Sequence, residues 1–239
     1  MPEYFFFTIL VIFAGAVLQG LTGFGGALFT MPFLLLYTAP KWAAPVVIIC
    51  YTVNRIPAML MIGKDLMWDH SMVLLTAAAP GVFLGTLLLK YAEPELIMKI
   101  LGTFLILISA YKIIAPEFKL VLSRIWALPA GFLSGILGGA LATNGPPIVV
   151  YAALKPWTKV QVVGMLQSYF FLSGFIIIGS YWYYGLFSVS VVKASAAGTP
   201  FAIAGMILGS KINQYITQRS FEVVLSVLLS IMGASFLMR

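Results

Sequence analysis

Residues 4–40 read YFFFTILVIFAGAVLQGLTGFGGALFTMPFLLLYTAP and contain no charged side chain. A membrane-spanning helix needs about 20 mostly apolar residues to cross about 30 Å of hydrocarbon. Within lipid, backbone polar groups are satisfied only in helices or in closed β-barrels. The apolar residues of this stretch are continuous, whereas the strands of a barrel alternate between apolar and polar residues. The stretch therefore predicts α-helical membrane segments.

The same character extends over the rest of the chain. Three further windows have no charged residue: 71–89, 125–154 and 160–192. Of the 239 residues, 62% are hydrophobic and 9% are charged, whereas about a quarter of the residues of a soluble protein are charged. We therefore expect an all-α polytopic membrane protein with about 8–10 membrane segments, embedded in the lipid bilayer. The last three expected segments are 160–183, 189–212 and 220–238.

Charge and cysteine content narrow the function classes. The net charge is +7, but the basic residues lie in short loops, where they orient membrane segments. This distribution argues against a nucleic-acid partner. The single cysteine, Cys50, excludes an intrachain disulfide and a cysteine-based metal site. The sequence has no metal-binding histidine cluster, phosphate-binding loop or nucleophile elbow, so we expect no enzyme activity, no cofactor and no metal.

An internal repeat divides the chain. Residues 15–36 read GAVLQGLTGFGGALFTMPFLLL, and residues 130–151 read AGFLSGILGGALATNGPPIVVY. A shift of 115 residues aligns three pairs: Gly20 with Gly135, Gly23 with Gly138, and Pro32 with Pro147. The repeat predicts two membrane halves, 1–115 and 116–239, integrated in one transport domain.

Each half carries a Gly-rich break followed by a short apolar piece, residues 27–38 and 146–155. Irregular backbone at membrane depth is tolerated only where it lines a cavity or lies inside protein. Paired interrupted segments in two halves point to a transporter binding site. Five crossings per half make the halves inverted and place most loop lysines and arginines inside. If each half instead contains a re-entrant hairpin, the loop charges divide more evenly between the two sides of the membrane. The rule that basic loops lie inside therefore favours the inverted arrangement.

Glycine pairs recur in both halves outside the breaks. Gly81 and Gly85 in the first half are spaced like Gly205 and Gly209 in the second. Small residues allow membrane helices to approach closely. We expect these four glycines to lie on close-packed surfaces that move during transport.

The two breaks suggest an anion site. The first spans residues 19–26 and exposes backbone amides and the Thr22 hydroxyl; the second starts at Thr143. Asn144 is a preferred N-cap residue, and the prolines after it tolerate the first helical turn. A helix N-terminus offers N–H donors and a partial positive charge, so it can hold an anion without a cationic side chain. The alternative is that the glycines only allow close helix packing.

Polar side chains inside apolar segments are further candidates. Arg55 lies in the predicted segment 43–62, and a charged residue at mid-bilayer costs at least about 2.5 kcal/mol, so it normally faces a cavity or a partner. It could attract an anion, or it could snorkel to the interface near Lys64. In the second half, Gln167 and Ser168 could bind the solute or form hydrogen bonds between helices.

The acidic residues all map to loops or helix ends. A proton-coupled transporter usually carries an ionisable relay inside the membrane. We therefore expect facilitated or potential-driven movement rather than proton antiport. Sodium coupling through unwound backbone carbonyls needs no carboxylate, so the coupling ion stays open.

The two breaks resemble the signatures of the sulfite exporter TauE/SafE family. Residues 19–26, QGLTGFGG, followed by Pro32, are similar to the first signature. The second is matched by Gly135, then Gly138–Gly139 and Asn144–Pro147. Residues 63–68, GKDLMW, resemble the loop after the third apolar segment. The resemblance covers essentially the whole chain.

This resemblance implies a permease for small sulfur-containing or other organic anions, such as sulfite and sulfonates, in the cell inner membrane. A passive anion channel and a non-transporting scaffold subunit are the alternatives. Direction and oligomeric state, including a homodimer, stay open. The contacts with a small anionic substrate that the resemblance implies are Gln19, Thr22, Gly23, Gly25, Gly26, Asn144, Gly145 and Pro146. Physical reasoning adds Arg55, Thr143, Gln167 and Ser168.

Overall fold

The computed structural model describes residues 4–114 and 123–212, together with 234, 237 and 238. The regular structure in this part of the chain is helical, without a β-strand. The helices are, in chain order, α1 Phe5–Thr22, α2 Gly26–Leu35, α3 Pro40–Val53, α4 Arg55–Ile62, α5 Trp68–Tyr91, α6 Pro94–Ile114, α7 Ala127–Leu141, α8 Gly145–Ala153, α9 Lys159–Tyr183 and α10 Val189–Ile212.

Within the described residues, five helical segments are long and apolar enough to cross a membrane: α1, Pro40–Leu60 across α3 and α4, α5, Val160–Tyr183 in α9, and α10. This confirms the all-α character with several membrane-span candidates. The helices α2 and α7 are apolar but shorter. The Pro40–Leu60 segment is the most enclosed of the five, with 61% of an 18-residue apolar window buried. The expected last segment, 220–238, lies almost entirely outside the described residues.

Left-handed backbone conformations lie between the helices at both breaks. Gly23 ends α1 with φ 80°, and its N–H donates to the Gln19 carbonyl at 2.7 Å. Gly25 precedes α2 with φ 92°. Glycine adopts such angles without the steric cost of a Cβ. In the second half, Ala142 follows α7 with φ 53°. The helix α8 begins at Gly145 with proline in its first turn, where the fixed φ of proline suits a helix.

The helix boundaries around the two breaks coincide at an offset of 119 residues. The helices α2 and α8 begin at Gly26 and Gly145, and α1 and α7 are followed by the left-handed Gly23 and Ala142. The helices α3 and α9, which begin at residues 40 and 159, keep the same offset. The glycine alignment at a shift of 115 is therefore displaced by about one helical turn.

The displacement has a physical cause in the glycine spacing of α7. Glycines recur there every four residues, at Gly131, Gly135 and Gly139, so shifts of one turn align them almost equally well. A Cβ on Gly139 would overlap the backbone carbonyl of Val82, and a Cβ on Gly20 would overlap that of Met206. The offset of 119 residues between α1 and α7 therefore makes Gly139, and not Gly135, the counterpart of Gly20.

Two close-packed helix pairs organise the molecule. The most extensive helix contacts are those of α5 with α7 and of α1 with α10. Each pair combines one helix from residues 1–115 with one from 116–239. The four glycines of the predicted close-packed surfaces face backbone carbonyls across these contacts: Gly81 faces Phe132, Gly85 faces Ile136, Gly205 faces Phe13, and Gly209 faces Val17.

Candidate functional site

A pocket lies where the two breaks approach each other. Its empty volume, which includes open space at the mouth, is about 320 Å³. The lining residues are Phe24, Gly25, Ala27, Leu28, Arg55, Thr143, Asn144, Gly145, Pro146 and Phe170.

The first wall is the N-terminus of α2. Phe29 donates to the carbonyl of Gly25 at 2.9 Å, which is the first bond of the helical pattern. The N–H groups of Ala27 and Leu28 precede that bond, so they have no carbonyl partner within the helix. Both residues line the pocket. The positive end of the α2 dipole therefore lies at the pocket.

The second wall is the start of α8. The Asn144 side chain does not cap the helix; its Nδ2 donates to Ser173 Oγ at 2.8 Å. The Asn144 carbonyl accepts from Ser134 Oγ at 2.5 Å. Pro146 and the proline after it carry no N–H, so α8 offers fewer backbone donors than α2. The Thr143 hydroxyl oxygen is buried and has no hydrogen-bond partner among the described residues.

Arg55 supplies a cation to the pocket wall. It begins α4, directly after Asn54 at the end of α3, and is 8% exposed. Its Nη1 donates to Gln167 Oε1 at 2.9 Å, and its guanidinium carbon lies 4.6 Å from the centre of the Phe170 ring. The ion pair found in the described part of the chain joins Lys99 to Glu95, so no described carboxylate neutralises Arg55.

Gln167 connects this cation to the first break. While its Oε1 accepts from Arg55, its Nε2 donates to the carbonyl of Gly23 at 3.3 Å. Gln167 is 4% exposed and lies on α9. The three groups Arg55, Gln167 and Gly23 therefore form one hydrogen-bonded chain behind the pocket.

The structure brings together about half of the residues predicted from the sequence. Six line the pocket: Gly25, Arg55, Thr143, Asn144, Gly145 and Pro146. Gln167 bonds to Arg55 and Gly23 bonds to Gln167, but neither of the two residues lines the pocket. The pocket lining does not include the side chains of the other four, Gln19, Thr22, Gly26 and Ser168.

Each of these four has another partner. Gln19 Nε2 donates to Asn54 Oδ1 at 3.1 Å, and the Thr22 hydroxyl donates to the Leu18 carbonyl at 2.9 Å. A Cβ on Gly26 would lie 2.8 Å from the Gly15 carbonyl oxygen. Ser168 Oγ donates to the Gly164 carbonyl at 2.7 Å and accepts from the Met67 N–H at 3.1 Å. Ser168 thus bonds to the chain segment before α5.

Sequence reasoning missed the apolar part of the lining, which comprises Phe24, Ala27, Leu28 and Phe170. Phe24 stands between glycines inside the first break, and an aromatic residue there is a usable signal. Phe170 lies three positions after Gln167 on α9, hence on the same helix face. Without the fold, neither position tells whether the aromatic ring lines a pocket or faces lipid.

Comparison with known protein families decides the class. The family model described as sulfite exporter TauE/SafE matches residues 7–236. The chain belongs to this family. No curated protein and no solved structure matches it.

Membership in the TauE/SafE family identifies the chain as a membrane transport protein of the sulfite exporter type. The membrane-span-like helices of the structure agree with this. The family comprises transporters rather than enzymes, which is consistent with the expectation of no enzyme activity. Among the described residues, no group of three His, Cys, Asp or Glu side chains is placed to hold a metal ion.

Proposed function

We propose that this TauE/SafE protein is a multi-pass permease of the cell inner membrane that moves sulfite or a related small sulfur-containing anion. In this proposal the anion binds in the pocket between the two breaks. The observation that carries it is Arg55, a buried cation in the pocket wall without a described carboxylate partner. The family description, sulfite exporter, gives the substrate class.

An anion would supply the charge that Arg55 lacks. Burying a cation without a counter-charge is costly, because the low-dielectric surroundings replace water poorly. The guanidinium has five N–H donors, of which Gln167 engages Nη1. Its planar fork matches oxyanions well. A sulfur oxyanion at this position would therefore form charge-assisted hydrogen bonds with Arg55.

Uncharged groups would complete the site. The N–H groups of Ala27 and Leu28 at the start of α2 offer donors with the favourable end of a helix dipole. The Thr143 hydroxyl, which has no described partner, would donate from the opposite wall. The rings of Phe24 and Phe170 would exclude water around the ligand and so strengthen these polar contacts.

Transport would come from movement of helix pairs around the pocket. We take the two halves to be inverted repeats, because paired breaks around one site are typical of such transporters. In the pairs α1 with α10 and α5 with α7, glycines meet backbone carbonyls. Such contacts do not adjust by side-chain movement, so each pair would move as one body. The sliding surfaces would then lie between the pairs, and not at the four glycines, where the sequence predicts them.

The membrane potential would drive the anion outward. An inside-negative potential contributes about 2.3 kcal/mol per charge for each 100 mV. The described acidic residues lie at helix ends or in short connections, among them Asp65, Asp69, Glu93 and Glu95. Potential-driven export requires no ionisable proton relay, and no described acidic residue lies in the interior of a span, where it could form one.

The test is sulfite efflux from proteoliposomes that contain the purified protein, under an imposed inside-negative potential. The proposal predicts saturable efflux that disappears in Arg55→Gln, with protein-free liposomes as the blank. Flux that rises linearly with sulfite would instead indicate a channel. A folded protein that moves neither sulfite nor a simple sulfonate would overturn the proposal in favour of a scaffold subunit.

A further inference from the structure

The Gln167 amide is held at both ends. Its oxygen accepts from Arg55 Nη1 at 2.9 Å, and its nitrogen donates to the Gly23 carbonyl at 3.3 Å. Gln167 lies in the second half, whereas in the first half Arg55 begins α4 and Gly23 directly follows α1. We propose that Gln167 is an internal competitor for the anion and links the occupancy of Arg55 to the first break. This rests on the proposed function of the pocket.

Competition follows from the chemistry of the two acceptors. The amide oxygen of Gln167 is a neutral acceptor on Nη1, while an oxyanion in the pocket is a charged one. A guanidinium–oxyanion contact adds the attraction of opposite charges to the hydrogen bond, which the neutral amide oxygen of Gln167 does not supply. A bidentate oxyanion needs two N–H groups of Arg55. In the proposed binding mode one of these two N–H groups is on Nη1, so the anion displaces the Gln167 amide, and the loss of that hydrogen bond lowers the net affinity.

The coupling between Arg55 and the first break depends on the amide nitrogen of Gln167. Gly23 is the left-handed residue that ends α1, and the residues directly after it, Phe24 and Gly25, line the pocket. Once its oxygen is released, the Gln167 side chain loses the anchor that holds its nitrogen on the Gly23 carbonyl. A ligand shifts a conformational equilibrium by its differential affinity for the two states. The anion here favours the state in which Gln167 has released Gly23.

A supporting role for Gln167 makes the opposite prediction for affinity. If the amide only positioned the guanidinium for the anion, its removal would weaken binding. If the amide competes, its removal strengthens binding. The sign of the change in Kd on substitution of Gln167 therefore separates the two roles.

The first experiment is isothermal titration of sulfite into the detergent-solubilised full-length protein. Gln167→Leu keeps the approximate size and removes both hydrogen bonds, so its Kd is expected to fall about three- to tenfold, as expected for the loss of one competing hydrogen bond. Gln167→Met repeats the test with an unbranched side chain, in case leucine impairs folding. The matched control is Gln161→Leu on the exposed first turn of α9, with an unchanged Kd.

The outcomes separate the two proposals. A Kd that is equal or higher in both folded Gln167 variants, with clear sulfite binding by the unmodified protein, overturns the competitor role alone. Absence of sulfite binding by the unmodified protein overturns the proposed function of the pocket.

Hydrogen exchange tests the link to the break. Sulfite is expected to speed exchange of the Gly23 amide in the unmodified protein, because that amide closes the end of α1 on the Gln19 carbonyl. In Gln167→Leu the exchange is expected to be fast already, with loss of the sulfite-dependent increase. The same sulfite response in both proteins would overturn the link.

Discussion

Arg55 enters the apolar segment 40–60 at the point where α3 ends and α4 begins. Sequence reasoning left two directions open for its side chain, toward a solute or toward the interface. The structure places the guanidinium against Gln167 and Phe170 in a pocket wall. A charge that is kept in such a place is a functional candidate, because its burial opposes stability.

Removing the Arg55 charge is expected to abolish sulfite transport, whereas Arg55→Lys is expected to weaken sulfite binding about tenfold. Lysine keeps the cation but loses the planar fork and its stacking on Phe170. Efflux and titration measure the two effects, with gel filtration as the check of folding. Lys99→Gln is the matched control, because it removes an exposed cation that pairs with Glu95. Wild-type efflux in Arg55→Gln would remove Arg55 from the mechanism.

Substitutions of Gly145 distinguish the effect of filling the pocket from the effect of disturbing the fold. A Cβ at this position would meet only the Phe170 ring, at 3.7 Å, so Gly145→Ala is expected to fold normally and retain most transport. Gly145→Trp would fill the pocket and is expected to abolish sulfite efflux while the protein still inserts in the membrane. Efflux by the folded tryptophan variant at the unmodified rate would place the anion elsewhere.

At the scale of helices, the sequence predicts well which helices form and how long they are. The expected helix 189–212 coincides with α10, and 160–183 starts one residue after α9 begins. The short pieces 27–38 and 146–155 correspond to α2 and α8, each beginning one residue earlier. Long charge-free windows, glycine and proline mark these boundaries directly. The offset of the repeat was wrong by one turn, because glycines recur every four residues in α7.

The direction of side chains around each helix was much less predictable. A helix in water shows its buried face through alternating apolar and polar stripes. With lipid as the surroundings, both faces of α1 are apolar, so nothing in the sequence tells that Gln19 turns to Asn54 and away from the pocket. The same holds for Ser168 on α9, which faces the chain segment near Met67. The candidate site could therefore be predicted as two breaks, but not as a set of contacts.

Close packing of α1 against α10 predicts a measurable cost of one methyl group. A Cβ on Gly205 would lie 2.6 Å from the Phe13 carbonyl oxygen, so Gly205→Ala is expected to destabilise the protein by about 1–3 kcal/mol. Gly179→Ala is the matched control, since its Cβ would meet nothing within 4 Å and alanine favours helix. Thermal unfolding in detergent measures both. Equal melting temperatures would mean that α1 and α10 lie farther apart.

At the scale of the molecule, helices from both halves are interlocked. The pairs α1 with α10 and α5 with α7 each cross between the halves, and α3 also packs on α9. The pocket draws α2 and Arg55 from the first half and α8 and Phe170 from the second. The repeat in the sequence predicts two related units, but it carries no information on which helix of one unit packs against which helix of the other.

The proposed movement of an uncompensated anion predicts a potential-dependent rate. Sulfite efflux from proteoliposomes is expected to increase when the interior is made negative and to decrease when the potential is reversed, because each transported charge gains about 2.3 kcal/mol per 100 mV. Potassium gradients with valinomycin set the potential. A rate that is independent of potential but follows an imposed pH gradient would contradict this driving force and indicate electroneutral coupling to protons.

The central claim is that a sulfur oxyanion binds between the two breaks, beside Arg55. The most direct test is a crystal structure of the protein soaked with selenite, the selenium analogue of sulfite, with data collected at the selenium absorption edge. The predicted result is one strong anomalous peak in the pocket between α2 and α8, within hydrogen-bonding reach of the Arg55 guanidinium. Peaks confined to exposed lysines, with an empty pocket at saturating selenite, would contradict it.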